Sequence, residues 1–140
     1  MSLTYVPVEL RRRVRERARI CCEYCLIPEI ACFAQHQVDH IVAEKHGGET
    51  SADNLALCCT LCNRRKGTDL ASVDPTTGER CFLFHPRKDR WSEHFRLEGS
   101  IIKPLTATGR ATARLLALNS EARLAERAAL AISHRLEPAS

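Results

Sequence analysis

The sequence has no apolar run of about 18 residues, the length that a membrane-spanning helix needs. Its first residues also lack an apolar segment followed by a small-residue cleavage site, so no export signal is expected. Neither an internal repeat nor a low-complexity segment occurs in the 140 residues. From these absences we expect a cytoplasmic chain that neither spans a membrane nor is exported. Its length predicts one domain with an appended tail.

Positive charge is concentrated near the start of the chain, although the net charge is only +4. Six arginines fall between Arg11 and Arg19, and Glu16 is the one acidic residue among them. Pro7 suits a first helical turn, so we predict a helix over 7–20 with the arginines facing outward. Its inward stripe consists of Leu10, Val14 and Ala18. Such a basic helix suits an anionic polymer, and a solvated charged face is the alternative reading.

Two of the possible cysteine pairs have the CxxC spacing, Cys22 with Cys25 and Cys59 with Cys62. In a reducing compartment closely paired thiols are more often metal ligands than disulfides, which remain the alternative. Two such turns supply the four thiolates of a closed tetrahedral zinc site, which holds structure and leaves no position for chemistry. We expect zinc loss to unfold the domain. The spacing leaves four spare thiols, expected to be small buried side chains: Cys21, Cys32, Cys58 and Cys81.

A composite pattern of short fragments lies between and after the cysteine pairs. In order, it consists of Val38-Asp-His-Ile-Val42, Gly47-Gly48, Asp53-Asn-Leu55 and Asn63-Arg-Arg-Lys66. We predict a strand over 37–42, a tight turn at the glycines, a helical turn at 51–54 and a helix start at Asn63. The whole pattern resembles the HNH endonuclease family, and the resemblance spans roughly residues 20–68, about a third of the chain.

The resemblance implies an α+β fold: a small ββα-metal core related to the treble clef, stapled by the four-cysteine zinc site. Two strands would carry Asp39 and His40, a helix would carry Asn63, and flanking helices and a helical C-terminal tail would complete the chain. We expect the nuclease domain and its basic helix to cover 1–100 and a helical extension to cover 101–140. The implied activity is metal-dependent hydrolysis of DNA phosphodiester bonds.

The resemblance also assigns roles to four residues. Asp39 would bind the catalytic ion, and His40 would act as the general base, since an imidazole can take a proton from water at neutral pH. Asn63 stands at the third motif position, which makes this the HNN variant, and Asn54 would hold the loop that places His40. Because carboxylate and amide oxygens are hard donors, we expect Mg²⁺ or Mn²⁺ at this site. Without the surrounding pattern, an adjacent Asp and His in a strand would be interpreted as structural residues.

Cationic residues after the second cysteine pair are the expected DNA contacts. Arg64, Arg65 and Lys66 lie on the predicted helix start, where they would bind backbone phosphates without reading the base sequence. Residues 87–96 interleave charge with aromatic side chains, which suggests either a second groove wall or a surface strand packed by Trp91 and Phe95. Of the other histidines, His36 and His46 are expected to be bystanders, while His85 and His94 lie beyond the motif and are not expected to touch the substrate.

Two alternatives to an enzyme remain open from the sequence. The first is a non-catalytic zinc module that binds nucleic acid or protein. The second is an interaction unit that dimerises through the last predicted helix, which Asn119 or Ser120 would cap. That helix carries a narrow apolar stripe of Leu124, Ala128 and Ile132, whose default partner is the domain itself. Whether the chain is a monomer or a homodimer therefore stays open.

Overall fold

The computed structural model describes residues 5–133. The described helices are α1 (Val8–Arg17), α2 (Thr60–Lys66), α3 (Trp91–His94), α4 (Ala107–Leu115) and α5 (Glu121–Ser133). The described strands are β1 (Gln37–His40), β2 (Leu55–Cys58), β3 (Ala71–Val73), β4 (Arg80–Phe82), β5 (Phe95–Glu98) and β6 (Ile101–Pro104). The strands form three antiparallel pairs, β1 with β2, β3 with β4 and β5 with β6. The predicted α+β class is confirmed.

The β1–β2 hairpin and α2 form the two-strand-plus-helix unit that the resemblance implied. Gln37 pairs with Cys58 and His40 with Leu55, so the hairpin ends beside the start of α2. Because successive strand residues point to opposite faces, Gln37 and Asp39 share one face of β1, and Val38 and His40 share the other. This alternation decides which side chains can reach one another across the site.

Helix α1 packs on the hairpin through the predicted stripe. Val14 and Ala18 are buried and Leu10 is partly buried, in a small core with Val6, Leu55 and Leu57. The arginines do not all face solvent, however. Arg15 forms a bidentate ion pair with Glu29, and Arg17 donates hydrogen bonds to the carbonyls of Ala52 and Leu55. These partners lie outside the helix, in segments that its own periodicity does not reveal.

The start of α2 differs from the prediction. The helix begins at Thr60, so Asn63 lies inside it. It begins there because Cys59 is the N-cap residue, whose Sγ accepts a hydrogen bond from the Cys62 backbone N–H (3.4 Å). Gly67 ends the helix with a φ of +53°, a conformation that glycine adopts readily. Arg64, Arg65 and Lys66 therefore occupy its last turn.

A second and larger core surrounds the four paired cysteines. It contains Trp91 and Phe95, both buried, so these aromatic residues pack inward and do not line a groove. The Trp91 indole N–H donates to the carbonyl of Tyr24 beside the first cysteine pair (3.1 Å). The same core takes in Ile102, Leu116 and Leu118, which lie beyond the motif. The domain boundary expected at residue 100 stays a prediction, and the β5–β6 hairpin spans it.

Helix α5 does not bury the stripe that its sequence suggested. Ser120 precedes the helix and its hydroxyl accepts from the Arg123 N–H (3.4 Å), whereas Asn119 binds the backbone of Ile102. Leu124 is half-buried, Ala128 is exposed, and the side chain of Ile132 lies outside the described residues. The residues that α5 buries are Arg123 and Arg127. Among the described helices, none combines the length and apolar character needed to cross a membrane.

Candidate metal centre and active site

The four cysteines of the CxxC pairs converge in the larger core. The Sγ atoms of Cys22, Cys25, Cys59 and Cys62 all lie within 4.8 Å of one another, and each side chain is buried. This is the soft, four-fold donor set that tetrahedral zinc prefers, with no place left for substrate. Of the spare thiols, Cys58 is buried as expected, while Cys21, Cys32 and Cys81 are only partly buried.

Local backbone geometry favours charged sulfur at this cluster. In each CxxC turn the second cysteine's N–H points at the first sulfur, at 3.5 Å for Cys25 to Cys22 and 3.4 Å for Cys62 to Cys59. Hydrogen bonds from Cys22, Cys25 and Cys62 lower the pKa of Cys59, whereas burial raises the pKa of Cys22. Four thiolates so close together require a cation, so the cluster is compatible with a structural zinc site.

Sequence reasoning missed one residue at this cluster. The Arg123 guanidinium Nη2 lies 3.3 Å from Cys59 Sγ, and its other terminal nitrogen binds Glu126. Arginine in a helical pattern is ordinarily assigned to the solvent face, and the two partners stand 64 residues apart. No sequence pattern near either residue predicts such a contact.

His40 is held almost completely inside the protein. Its side chain is 3% exposed, and Nε2 is hydrogen-bonded to the Thr50 hydroxyl at 2.8 Å. Its Nδ1 atom is buried and has no hydrogen-bond partner in the described part of the chain. One ring nitrogen is thus fixed by the Thr50 hydroxyl, while the other makes no hydrogen bond to the described residues.

Asn63, on α2, contacts the strand face of β1 that carries Asp39. The Asn63 side-chain N–H donates to Gln37 Oε1, and Gln37 shares a strand face with Asp39. This contact engages the amide nitrogen of Asn63 and not its oxygen. Two hard oxygens suit Mg²⁺ or Mn²⁺, which complete their coordination with water and phosphate. Within the described residues, no second group of three acidic, His or Cys ligands accompanies them.

Three side-chain hydrogen bonds from Asn54 tie the two ends of the loop after β1. Its Oδ1 accepts from the Val42 N–H (2.9 Å), and its Nδ2 donates to the carbonyls of Val42 (2.9 Å) and Glu49 (2.8 Å). Gly48 fits closely beneath this amide, because a Cβ there would lie 1.7 Å from the Val42 oxygen. The loop that bears Thr50 is therefore fixed next to His40.

Along the chain, a CxxC turn is followed by the strand with Asp39 and His40, the loop held by Asn54, and the helix with Asn63. This order agrees with the pattern of one family. Residues 22–69 match the HNH endonuclease family model. The matched HNH domain begins at the first cysteine of the cluster and ends just after α2, about a third of the chain. No curated protein and no solved structure matches this chain.

Cationic residues at the end of the HNH domain differ in their surroundings. Arg64 is exposed. Arg65 donates to the carbonyl of Leu116 (3.0 Å), and Lys66 is buried with its ammonium on the carbonyl of Ile41 (2.8 Å). Burial lowers the pKa of Lys66, and nearby Asp39 opposes that shift. Of the three expected phosphate contacts, Arg64 is the one that the fold leaves open to a ligand.

Proposed function

We propose that the protein is a metal-dependent endonuclease that hydrolyses phosphodiester bonds in DNA. The observation that carries the proposal is the HNH match over residues 22–69, supported by the contact of Asn63 with Gln37, which shares a strand face with Asp39. His40 follows Asp39 in sequence, and its buried Nδ1 has no hydrogen-bond partner among the described residues. The exposed arginines of α1 and Arg64 at the end of the matched segment supply charge suited to a polyanion: Arg11, Arg12 and Arg13.

In the proposed reaction, Asp39 and Asn63 would hold one Mg²⁺ or Mn²⁺ ion through oxygen. Such an ion would supply a Lewis acid for the charge that develops on the phosphate. His40 Nδ1 accepts the proton of the attacking water, while the Thr50 hydroxyl holds Nε2 and fixes the ring. Arg64 binds a neighbouring phosphate and helps keep the strand in place.

A second candidate function is a zinc-stapled module that binds nucleic acid or protein without cleaving it. One observation favours it: His40 is almost fully buried, and strand alternation turns it away from Asp39. Catalysis requires water to reach the buried Nδ1, whereas a module that only binds DNA has no such requirement.

Nicking of supercoiled plasmid with Mg²⁺ or Mn²⁺ separates the two functions. We expect the wild-type protein to nick, a chelator of Mg²⁺ to stop it, and His40→Ala to lower the rate by roughly 10²–10⁴-fold, the usual contribution of a general base. His46→Ala is the matched control, since this exposed histidine lies in the following loop and should leave the rate unchanged. Folded wild-type protein that binds DNA and leaves it intact would establish the module instead. Equal nicking by His40→Ala would refute the base assignment.

A further inference from the structure

Helix α5 brings two arginines, one helical turn apart, into the protein interior. Arg123 is 5% exposed and Arg127 is fully buried. Both residues lie outside the HNH match, which ends at residue 69. Buried charge is unfavourable unless it is compensated, so the partners of each guanidinium indicate its purpose.

Arg127 is surrounded by oxygen. It donates to the carbonyls of Ser100 (2.7 Å), Leu118 (2.5 Å) and Cys25 (3.3 Å), and to Asn119 Oδ1 (3.1 Å). These bonds join α5 to the β5–β6 turn, to the end of α4 and to the first cysteine turn. They satisfy the donors of Arg127 without touching sulfur.

Arg123 instead contacts the cysteine cluster itself. Its Nη2 points at Cys59 Sγ (3.3 Å), and Nη1 holds both oxygens of Glu126 (2.7 and 2.9 Å). Glu126 remains partly exposed, so the ion pair orients the guanidinium from the solvent side. Four thiolates carry more negative charge than one zinc ion cancels, and a cation donating N–H to sulfur offsets part of the excess.

We propose that Arg123 stabilises the zinc tetrathiolate by hydrogen-bonding the Cys59 sulfur and balancing its charge. Helix α5 is then part of the metal centre, although it lies far outside the matched domain. Groups that hydrogen-bond metal ligands commonly change metal affinity by 10–100-fold. The role concerns zinc retention and is independent of whether the protein cleaves DNA.

Four full-length variants test this role by zinc affinity, measured by competition with a chromophoric chelator, and by the thiolate-to-metal absorption of the Co²⁺-loaded protein. Arg123→Met should weaken zinc binding by roughly 10–100-fold and shift the Co²⁺ band. Arg123→Lys should recover part of both, because it restores the charge without the planar fork. Arg127→Met should lower the melting temperature and leave the band in place. Glu126→Gln, which keeps the N–H···S contact, should remain close to wild type.

Wild-type zinc affinity and an unchanged Co²⁺ band in Arg123→Met would overturn the proposal. Equal changes in Arg123→Met and Arg127→Met would also overturn it, because α5 would then act only by packing. Where Arg123→Met does not fold, Arg123→Gln takes its place and retains a neutral N–H donor. Intermediate zinc affinity is expected for that variant, and wild-type affinity would contradict the role of charge.

Discussion

The Lys66 ammonium donates a hydrogen bond to the Ile41 backbone carbonyl, one residue past His40, at 2.8 Å. This bond joins the last turn of α2 to the end of β1. Asn63 is joined to the same strand through Gln37. The helix and the strand that carry the proposed catalytic residues are therefore linked at two points, and motif residues that look like DNA contacts also hold the site together.

Arg64 and Lys66 should consequently respond differently to substitution. Arg64→Ala should weaken DNA binding, reduce the slope of log K against log[salt] by about 1, and leave the melting temperature unchanged. Lys66→Met should destabilise the fold by about 1–3 kcal/mol, because the Ile41 carbonyl loses its buried partner. Salt-dependent binding titrations and thermal melts of both variants measure this. The opposite pattern would show that Lys66 is the phosphate ligand.

Asn54→Ala should lower the nicking rate without changing zinc binding. The substitution removes all three loop hydrogen bonds, so Thr50 and His40 lose their fixed relation, and a displacement of about 1 Å can cost 10²-fold in rate. We expect the nicking rate to fall about 10²-fold while the zinc content stays that of the wild type. Asn119→Ala is a matched control, because Asn119 clamps the backbone of Ile102 in the same way at a remote hairpin. If both variants lost activity equally, general destabilisation would explain the effect.

The two adjacent glycines should differ in their tolerance of alanine. Gly48→Ala places a methyl group against the Val42 carbonyl, which must move, at a cost of roughly 1–3 kcal/mol or more. Gly47 has a φ of +88° with open space around its Cα, so Gly47→Ala should cost only the backbone strain of about 1–2 kcal/mol. Urea denaturation gives both values. If Gly48→Ala lowered the free energy of unfolding less than Gly47→Ala does, the loop would not have the close packing against Val42 described above.

The sequence predicted those parts of the site that depend on short-range spacing. Two CxxC turns and an Asp-His strand are local patterns, and the structure contains both where they were expected. The start of α2 was missed because a cysteine sulfur served as its cap, a role normally taken by Ser, Thr, Asp or Asn. The buried face of α5 was missed because Arg127 reaches a carbonyl 102 residues away.

Metal stoichiometry tests the central claim, which is that sulfur builds one cation site and oxygen from Asp39 and Asn63 the other. In zinc-loaded protein, elemental analysis should give one zinc per chain, and titration followed by electron paramagnetic resonance should show one weaker Mn²⁺ site. Asp39→Ala and Asn63→Ala should lose Mn²⁺ binding and keep both zinc and fold, while Cys59→Ser should lose zinc and unfold. Undiminished Mn²⁺ binding in both oxygen-ligand variants, or Mn²⁺ that binds only by displacing zinc, would contradict the division into two sites.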